Sequence, residues 1–495
     1  MNKNAEFNIS FFCYIINLSQ ILKGELCIAT KFTNSNQQLA SLETKENAGS
    51  QFTVSSASSD SVKINLPDKI DVVVGDTLEL FYHGMIQAVN PFNYDIDLSE
   101  IPKERGSRYK NRWIYTPAAD HTDFSFTIKV SDNAGNLLDK KNVTVKVHPV
   151  KQNPTTVKNI LCLGDSLTGG GQWVGELRRR LCSTDAPFAG DPDNKKPAAP
   201  GGHGYTNIQF IGTQGTAPVK YEGYGGWTWG HYTSPPSNIE KSNVWITVKS
   251  GLKTDAASDQ SIWKDNKNQQ WQLETRDTIN NKIKFKHYPA DSSYLMPDSG
   301  TLTYVSGGGD QANIIYNGTT PEKGNPFWNY GTNCLSFRDY CTKNGFDNID
   351  FAYILLGYNS IRLTGSEIVI EGKKLVDKLH EEYPNCKITI VGVMAPSEDA
   401  MGSYGTGWNY YTILKKAFEF NTAYLAWTYE PEYSSFMDFT HLSSQFDSYT
   451  NVPTATRPLN IRTYKTEIYA TGLHPTMEGY MQIADAIYRN FMGKL

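Results

Sequence analysis

What the chain lacks narrows its function first. No block of like charge stands out: 47 basic residues face 51 acidic ones, for a net charge of −4. A nucleic-acid partner calls for a basic patch, so this balance argues against one. Long apolar runs are absent too, and with a mean hydropathy of −0.47 nothing reads as a transmembrane helix, which needs about 20 apolar residues. The 7 cysteines (Cys13, Cys27, Cys162, Cys182, Cys334, Cys341 and Cys386) form no CxxC pair and no even framework. Buried small hydrophobes are their simplest reading, with Cys162 and Cys386 in apparent strands, and no metal site or compartment follows from them.

At 495 residues the chain exceeds one ordinary core, since domains run about 100–200 residues. Residues 1–61 read as an anchor or stalk. Ile9 to Leu22 is interrupted by Asn17, Ser19 and Gln20, which makes a poor secretory signal. Gly24-Glu25-Leu26-Cys27 ends like a lipoprotein site, but Gly24 and Glu25 fit that pattern badly. Residues 31–61 are rich in Ser, Thr, Asn and Gln, a flexible-stalk composition.

Residues 62–150 alternate apolar and polar positions, as at Leu78, Leu80 and Tyr82, and at Phe124, Phe126, Ile128 and Val130. Short strands punctuated by turns such as Asp132-Asn133-Ala134-Gly135-Asn136 predict a β-sandwich. It resembles the immunoglobulin-like modules attached to secreted bacterial hydrolases, for which a spacer role is the plainest reading. Lys151 to Thr156 forms a polar linker.

Beyond the linker, strands and helices alternate as a doubly wound sheet requires. The apolar run Asn159 to Leu163 leads into Gly164-Asp165-Ser166-Leu167 and then a helix, Trp173 to Leu181. That junction lifts a hydroxyl above a sheet edge, near backbone N–H groups that can meet negative charge. Three further segments supply partners. Glu222 to Thr228 is a glycine-rich loop whose backbone can approach a substrate. Ile354 to Ser360 is a buried strand ending in Gly357-Tyr358-Asn359, which puts an amide at its carboxyl edge. Gly472-Leu473-His474-Pro475-Thr476 sets a histidine on a loop before a helix through Tyr480, Ile483, Ile487 and Phe491.

These four segments, in this order, resemble the SGNH (GDSL-type) hydrolases, and the resemblance covers about residues 157–495. It implies a three-layer α/β/α fold with a mostly parallel sheet, and ester hydrolysis through an acyl-serine. Carried onto this sequence, Ser166 is the nucleophile, His474 the base, and Ser166, Gly226 and Asn359 the oxyanion donors. Neither a metal nor an organic cofactor is implied. Asp165 reads as a turn-stabilising residue.

One position departs from the pattern. The family carries Asp three residues before the histidine, where this chain has Thr471. A threonine cannot supply the carboxylate that orients and stabilises an imidazolium. Three outcomes stay open: a Ser–His dyad oriented by a backbone carbonyl, a carboxylate from elsewhere such as Glu467 or Asp447, or a weakened enzyme. Glu467 reads more readily as a solvated loop charge.

About 120 residues separate the glycine loop from Gly357, far more than one crossover needs. The excess, residues 232–325, is β-rich and holds Trp245, Trp263 and Trp271, with Trp227 and Trp229 before it and Trp328 after. It reads as an inserted subdomain with its own core, or as aromatics that stack on sugar rings, with Trp227, Trp229 and Trp328 the nearest candidates. The leading function is therefore an esterase that removes acyl groups, acetyl above all, from a polysaccharide, acting outside the cell or at its surface. A lipase or thioesterase of the same chemistry is a second reading. The third is a surface or virion-tail adhesion protein anchored through residues 1–61. Oligomeric state leaves no mark in the sequence.

Overall fold

The computed structural model describes residues 62–88, 91–101, 105–109, 111–187, 200–235, 243–250, 261–278, 281–289, 296–297, 299–307, 312–321, 324–329, 331–394, 410–428, 433–437 and 473–495, with short strands at Lys31–Thr33, Leu39–Ser41 and Ser55–Ser56. Thr471, Glu467 and Asp447 lie outside the described residues, as does most of 1–61.

A parallel sheet organises the second half of the chain. Its strands are β1 (Lys158–Gly164), β2 (Ile208–Ile211), β3 (Glu222–Gly223), β4 (Phe351–Leu355), β5 (Lys387–Val391) and β6 (Ser434–Met437). They run in the order β2-β1-β4-β5-β6, with β3 pairing with the upper end of β1. Every pairing is parallel. All five residues of β4 are buried, as expected of a central strand covered on both faces.

The helices between strands are α1 (Ser166–Gly169), α2 (Gln172–Cys182), α3 (Trp229–Thr233), α4 (Phe337–Asn344), α5 (Gly365–Glu382), α6 (Tyr410–Thr428) and α7 (Met477–Lys494). Two groups form: α2 packs on α7, while α5 packs on α3, α4 and α6. Trp229 Nε1 donates to Tyr424 Oη at 2.7 Å, knitting α3 to α6 inside the second group. Among the described residues no helix is long and apolar enough to cross a membrane.

The long excess between β3 and β4 is a closed six-stranded barrel running from Asn243 to Pro321. It has a separate core that includes Val244, Trp263, Trp271, Phe285 and Leu302. Trp263 and Trp271 are fully buried there, so they serve as barrel filling and offer no face to a sugar. The two ends of the barrel meet: Asn325 Nδ2 donates to Tyr232 O at 2.5 Å and to Ser234 O at 3.2 Å.

Residues 62–150 form two facing sheets. One pairs Lys69–Val73, Leu137–His148, Phe124–Ser131 and Asp95–Ile101 in that order; the other pairs Leu78–Phe81, Arg112–Tyr115 and Ser107–Arg108. Trp113 of the second sheet lies 5.8 Å from Phe126 of the first. This body is docked on the α2–α7 group. Asp76 accepts from Arg180 Nη2 at 2.8 Å and from Arg489 Nε at 2.6 Å, and Asp485 closes the cluster onto both arginines. Arg180 also lies over the Tyr488 ring at 3.8 Å. Two buried arginines thus join this body to the parallel-sheet half.

Candidate active site

Register alone brings three of the four motifs together. Gly164 at the end of β1 pairs with Gly223 of β3 on one side and with Leu355 of β4 on the other. Ser166, Gly226 and Asn359 follow those three positions by two, three and four residues, so all leave the sheet at one carboxyl edge. Close approach is enforced by small residues: a Cβ on Gly223 would lie 2.4 Å from the Gly169 nitrogen.

The turn at Ser166 is built by its neighbour. Asp165 caps α1, its Oδ1 accepting from Leu167 N–H at 2.9 Å, while its carbonyl accepts from Gly169 N–H at 2.8 Å. Ser166 is the first helical residue, half-buried, with an N–H that has no partner inside the turn. Asp165 is fully buried, and burial pushes its carboxyl up to about 7 against the pull of the Leu167 N–H.

The glycine loop is a tight turn closed by Trp227 N–H to Tyr224 O at 3.2 Å. Gly226 occupies it with φ +78°, the left-handed value that such a turn demands at its third residue. Below it, the buried Glu222 carboxylate accepts from Thr213 N–H (2.6 Å), Thr213 Oγ1 (3.0 Å), Tyr224 Oη (2.6 Å) and Tyr340 Oη (2.7 Å). Tyr224 in turn stacks on Trp227 at 4.1 Å. The glycine turn is thus tied to the sheet through a carboxylate and a ring.

Asn359 sits on the turn Tyr358–Ser360 just past β4. Its Nδ2 donates to Asp165 Oδ2 at 3.2 Å and to Trp227 O at 3.0 Å. One amide therefore joins the nucleophile turn and the glycine turn directly. With both N–H bonds used, an incoming oxyanion competes with the Trp227 carbonyl for this amide. A narrow apolar crevice lies beside the same turn, lined by Gly357, Tyr358, Val393, Met394, Ile413 and Phe420 among others.

His474 stands three residues before α7. Near the end of that helix, Phe491 is tilted 54° against Phe351 at the start of β4, centroids 4.8 Å apart, and Lys494 Nζ donates to Thr389 in the middle of β5. These contacts tie the C-terminal end of α7 to the sheet. His474 is half-buried, and burial lowers its pKa from the ordinary 6.5. A histidine kept neutral in this way is ready to accept a proton.

No protein-family model and no curated protein matches the chain. Solved structures do. The chain is similar to a family 3 carbohydrate esterase from Talaromyces cellulolyticus, at 11% identity over 68% of this chain and 100% of that one, with a TM-score of 0.32. A family 3 carbohydrate esterase from Clostridium thermocellum is 14% identical over 68% of this chain and 98% of that one, TM-score 0.30. A family 2 carbohydrate esterase with a carbohydrate binding domain, from Corynascus thermopiles (Myceliophthora fergusii), is 10% identical over 88% of this chain and 99% of that one, TM-score 0.28. These overlaps are loose, and the functional reading rests on the site itself.

The tryptophans expected at the substrate divide. Trp227 is half-buried beside the hole. Trp229 is fully buried between α3, α5 and α6, which corrects its expected role: no face of it is left for a substrate. Trp328 lies on a short ribbon, Trp328–Asn329 with Cys334–Leu335, and its Nε1 has no partner. Two residues escaped the sequence reading: Glu222, named only as the start of the glycine-rich loop, and His231, which follows Trp227 by four residues. A carboxylate directly before a glycine turn, flanked by tyrosines, was the available signal for the first. Among the described residues no group of His, Cys, Asp and Glu is arranged to hold a metal ion.

Proposed function

We propose that this chain is a serine esterase of the SGNH (GDSL-type) kind that removes short acyl groups, acetyl above all, from a polysaccharide. The observation that carries the reading is the pair of Asn359 hydrogen bonds, which ties the Ser166 turn to the Gly226 turn. His474 takes the Ser166 proton as the hydroxyl attacks the ester carbonyl. The Ser166 and Gly226 N–H groups and the Asn359 amide hold the oxyanion. Collapse expels the sugar alcohol with the proton from His474, leaving acyl-Ser166. Water, deprotonated by the same histidine, then releases the acid.

The unit 157–495 adopts the three-layer α/β/α arrangement with the barrel inserted at 232–325, and 62–150 is its immunoglobulin-like companion. Residues 1–61 attach the enzyme to a cell surface or a virion tail, outside the cytoplasm. The imidazole is oriented by a backbone carbonyl or by Glu467 or Asp447, in place of a carboxylate at 471.

The test is acetate release from p-nitrophenyl acetate and from an acetylated polysaccharide panel by wild type and Ser166→Ala. Turnover lost with Ser166 supports the reading. No release by folded wild type overturns it in favour of adhesion.

A further inference from the structure

We infer that His231 is a sugar-binding residue that selects the alcohol side of the ester, donating through Nε2 to a hydroxyl or ring oxygen of the glycan. The inference rests on the esterase reading above. Its ground is a row of stacked rings leading away from the oxyanion turn. Tyr224, held by Glu222, stacks on Trp227 at 4.1 Å and 21°. Trp227, whose carbonyl meets Asn359, stacks on His231 at 5.6 Å and 20°. His231 ends the row and is exposed.

The ring is fixed in orientation and in tautomer. The Thr228 N–H donates to His231 Nδ1 at 3.1 Å, and the Thr228 hydroxyl lies 2.9 Å from the same nitrogen. A backbone N–H can only donate, so Nδ1 is the acceptor and the neutral imidazole carries its proton on Nε2. An outward N–H on a rigid aromatic support suits a sugar, which offers flat C–H faces and many oxygen acceptors. It suits an acyl chain poorly, and the apolar crevice lies on the other flank, by Tyr358.

The local motif supplies its own controls. His231 is the third helical residue of a capping box opened by Thr228. Gln and Glu serve at that position by accepting the cap N–H. His231→Gln therefore keeps the cap and an outward donor, whereas His231→Glu keeps the cap and removes the donor. His231→Ala removes both. The readout is the ratio of kcat/KM on acetylated xylo-, manno- or pectic oligosaccharide to kcat/KM on p-nitrophenyl acetate. We expect His231→Glu and His231→Ala to lower that ratio by about tenfold, the size of one well-made hydrogen bond, and His231→Gln to hold it within about threefold. Equal ratios in all variants, or turnover of p-nitrophenyl acetate with no oligosaccharide accepted, would overturn the inference and leave the esterase reading intact. Should wild type hydrolyse neither substrate, the esterase reading fails by itself. Oligosaccharide binding to Ser166→Ala, with and without His231→Glu, then decides the inference alone: weaker binding with Glu supports it, equal or absent binding refutes it.

Discussion

Asp165 and Asn359, on the turns that follow two neighbouring parallel strands, share a hydrogen bond of 3.2 Å from the amide to the buried carboxyl. The carboxyl is pushed up to about 7 by burial, so its ionised form, the better acceptor, fills over the neutral range. His474 is shifted the other way, below 6.5. Were His474 the only group titrating, the acid limb of kcat/KM would lie below 6.5; with Asp165 controlling the amide it lies near 7. We expect Asp165→Asn to move that limb down to the histidine's value, and a pH–rate profile of both proteins checks it. The sign for stability is opposite. A carboxyl raised on folding stabilises fully below its ordinary 3.8 and loses that contribution as pH rises through about 7.

Asn359→Ala removes an oxyanion donor and should lower kcat by about 10²–10³. Because the amide also braces the Trp227 carbonyl, KM is the informative companion. A rise in KM with kcat unchanged would assign Asn359 to loop support and not to the transition state.

Gly226→Ala separates fold from chemistry. A Cβ there meets nothing within 4 Å, but φ stays at +78°. The strain should cost about 1–2 kcal/mol, or relax by rotating the peptide whose N–H faces the oxyanion. Activity should therefore fall by at least about tenfold while the protein still unfolds cooperatively. Unchanged turnover in a folded variant would remove Gly226 from the hole.

Asp76→Ala tests the docking of the β-sandwich. It leaves Arg180 and Arg489 buried without their shared carboxylate, at an expected cost of about 3–5 kcal/mol. Burial alone would raise the Asp76 pKa, but the two guanidinium groups outweigh it and the net shift is downward from 3.8. Its contribution is thus complete above 3.8 and is lost as pH falls below that value. Urea unfolding at neutral pH should show a large gap between wild type and variant. That gap should narrow as the medium is acidified below pH 3.8.

The candidate turns were legible from local signals: an apolar strand runs into Ser166 and another into Asn359, and a helix start follows His474. Contacts across the fold left no comparable trace. Trp229 stands beside Trp227 in sequence, yet one faces the hole and the other the α6 core, a difference set by tertiary packing. Trp263 and Trp271 looked like ligand platforms because a small barrel must fill its centre with large rings. Asp76, Arg180 and Arg489 lie far apart in the sequence, and only the docked fold shows that they neutralise one another.

The contact of Asn325 with Tyr232 and Ser234 closes the chain just outside the barrel. Among the described residues, none of the barrel's strands pairs with the parallel sheet. The excursion therefore leaves and rejoins the α/β body at one place, and the strand order behind Ser166 does not depend on what the excursion contains.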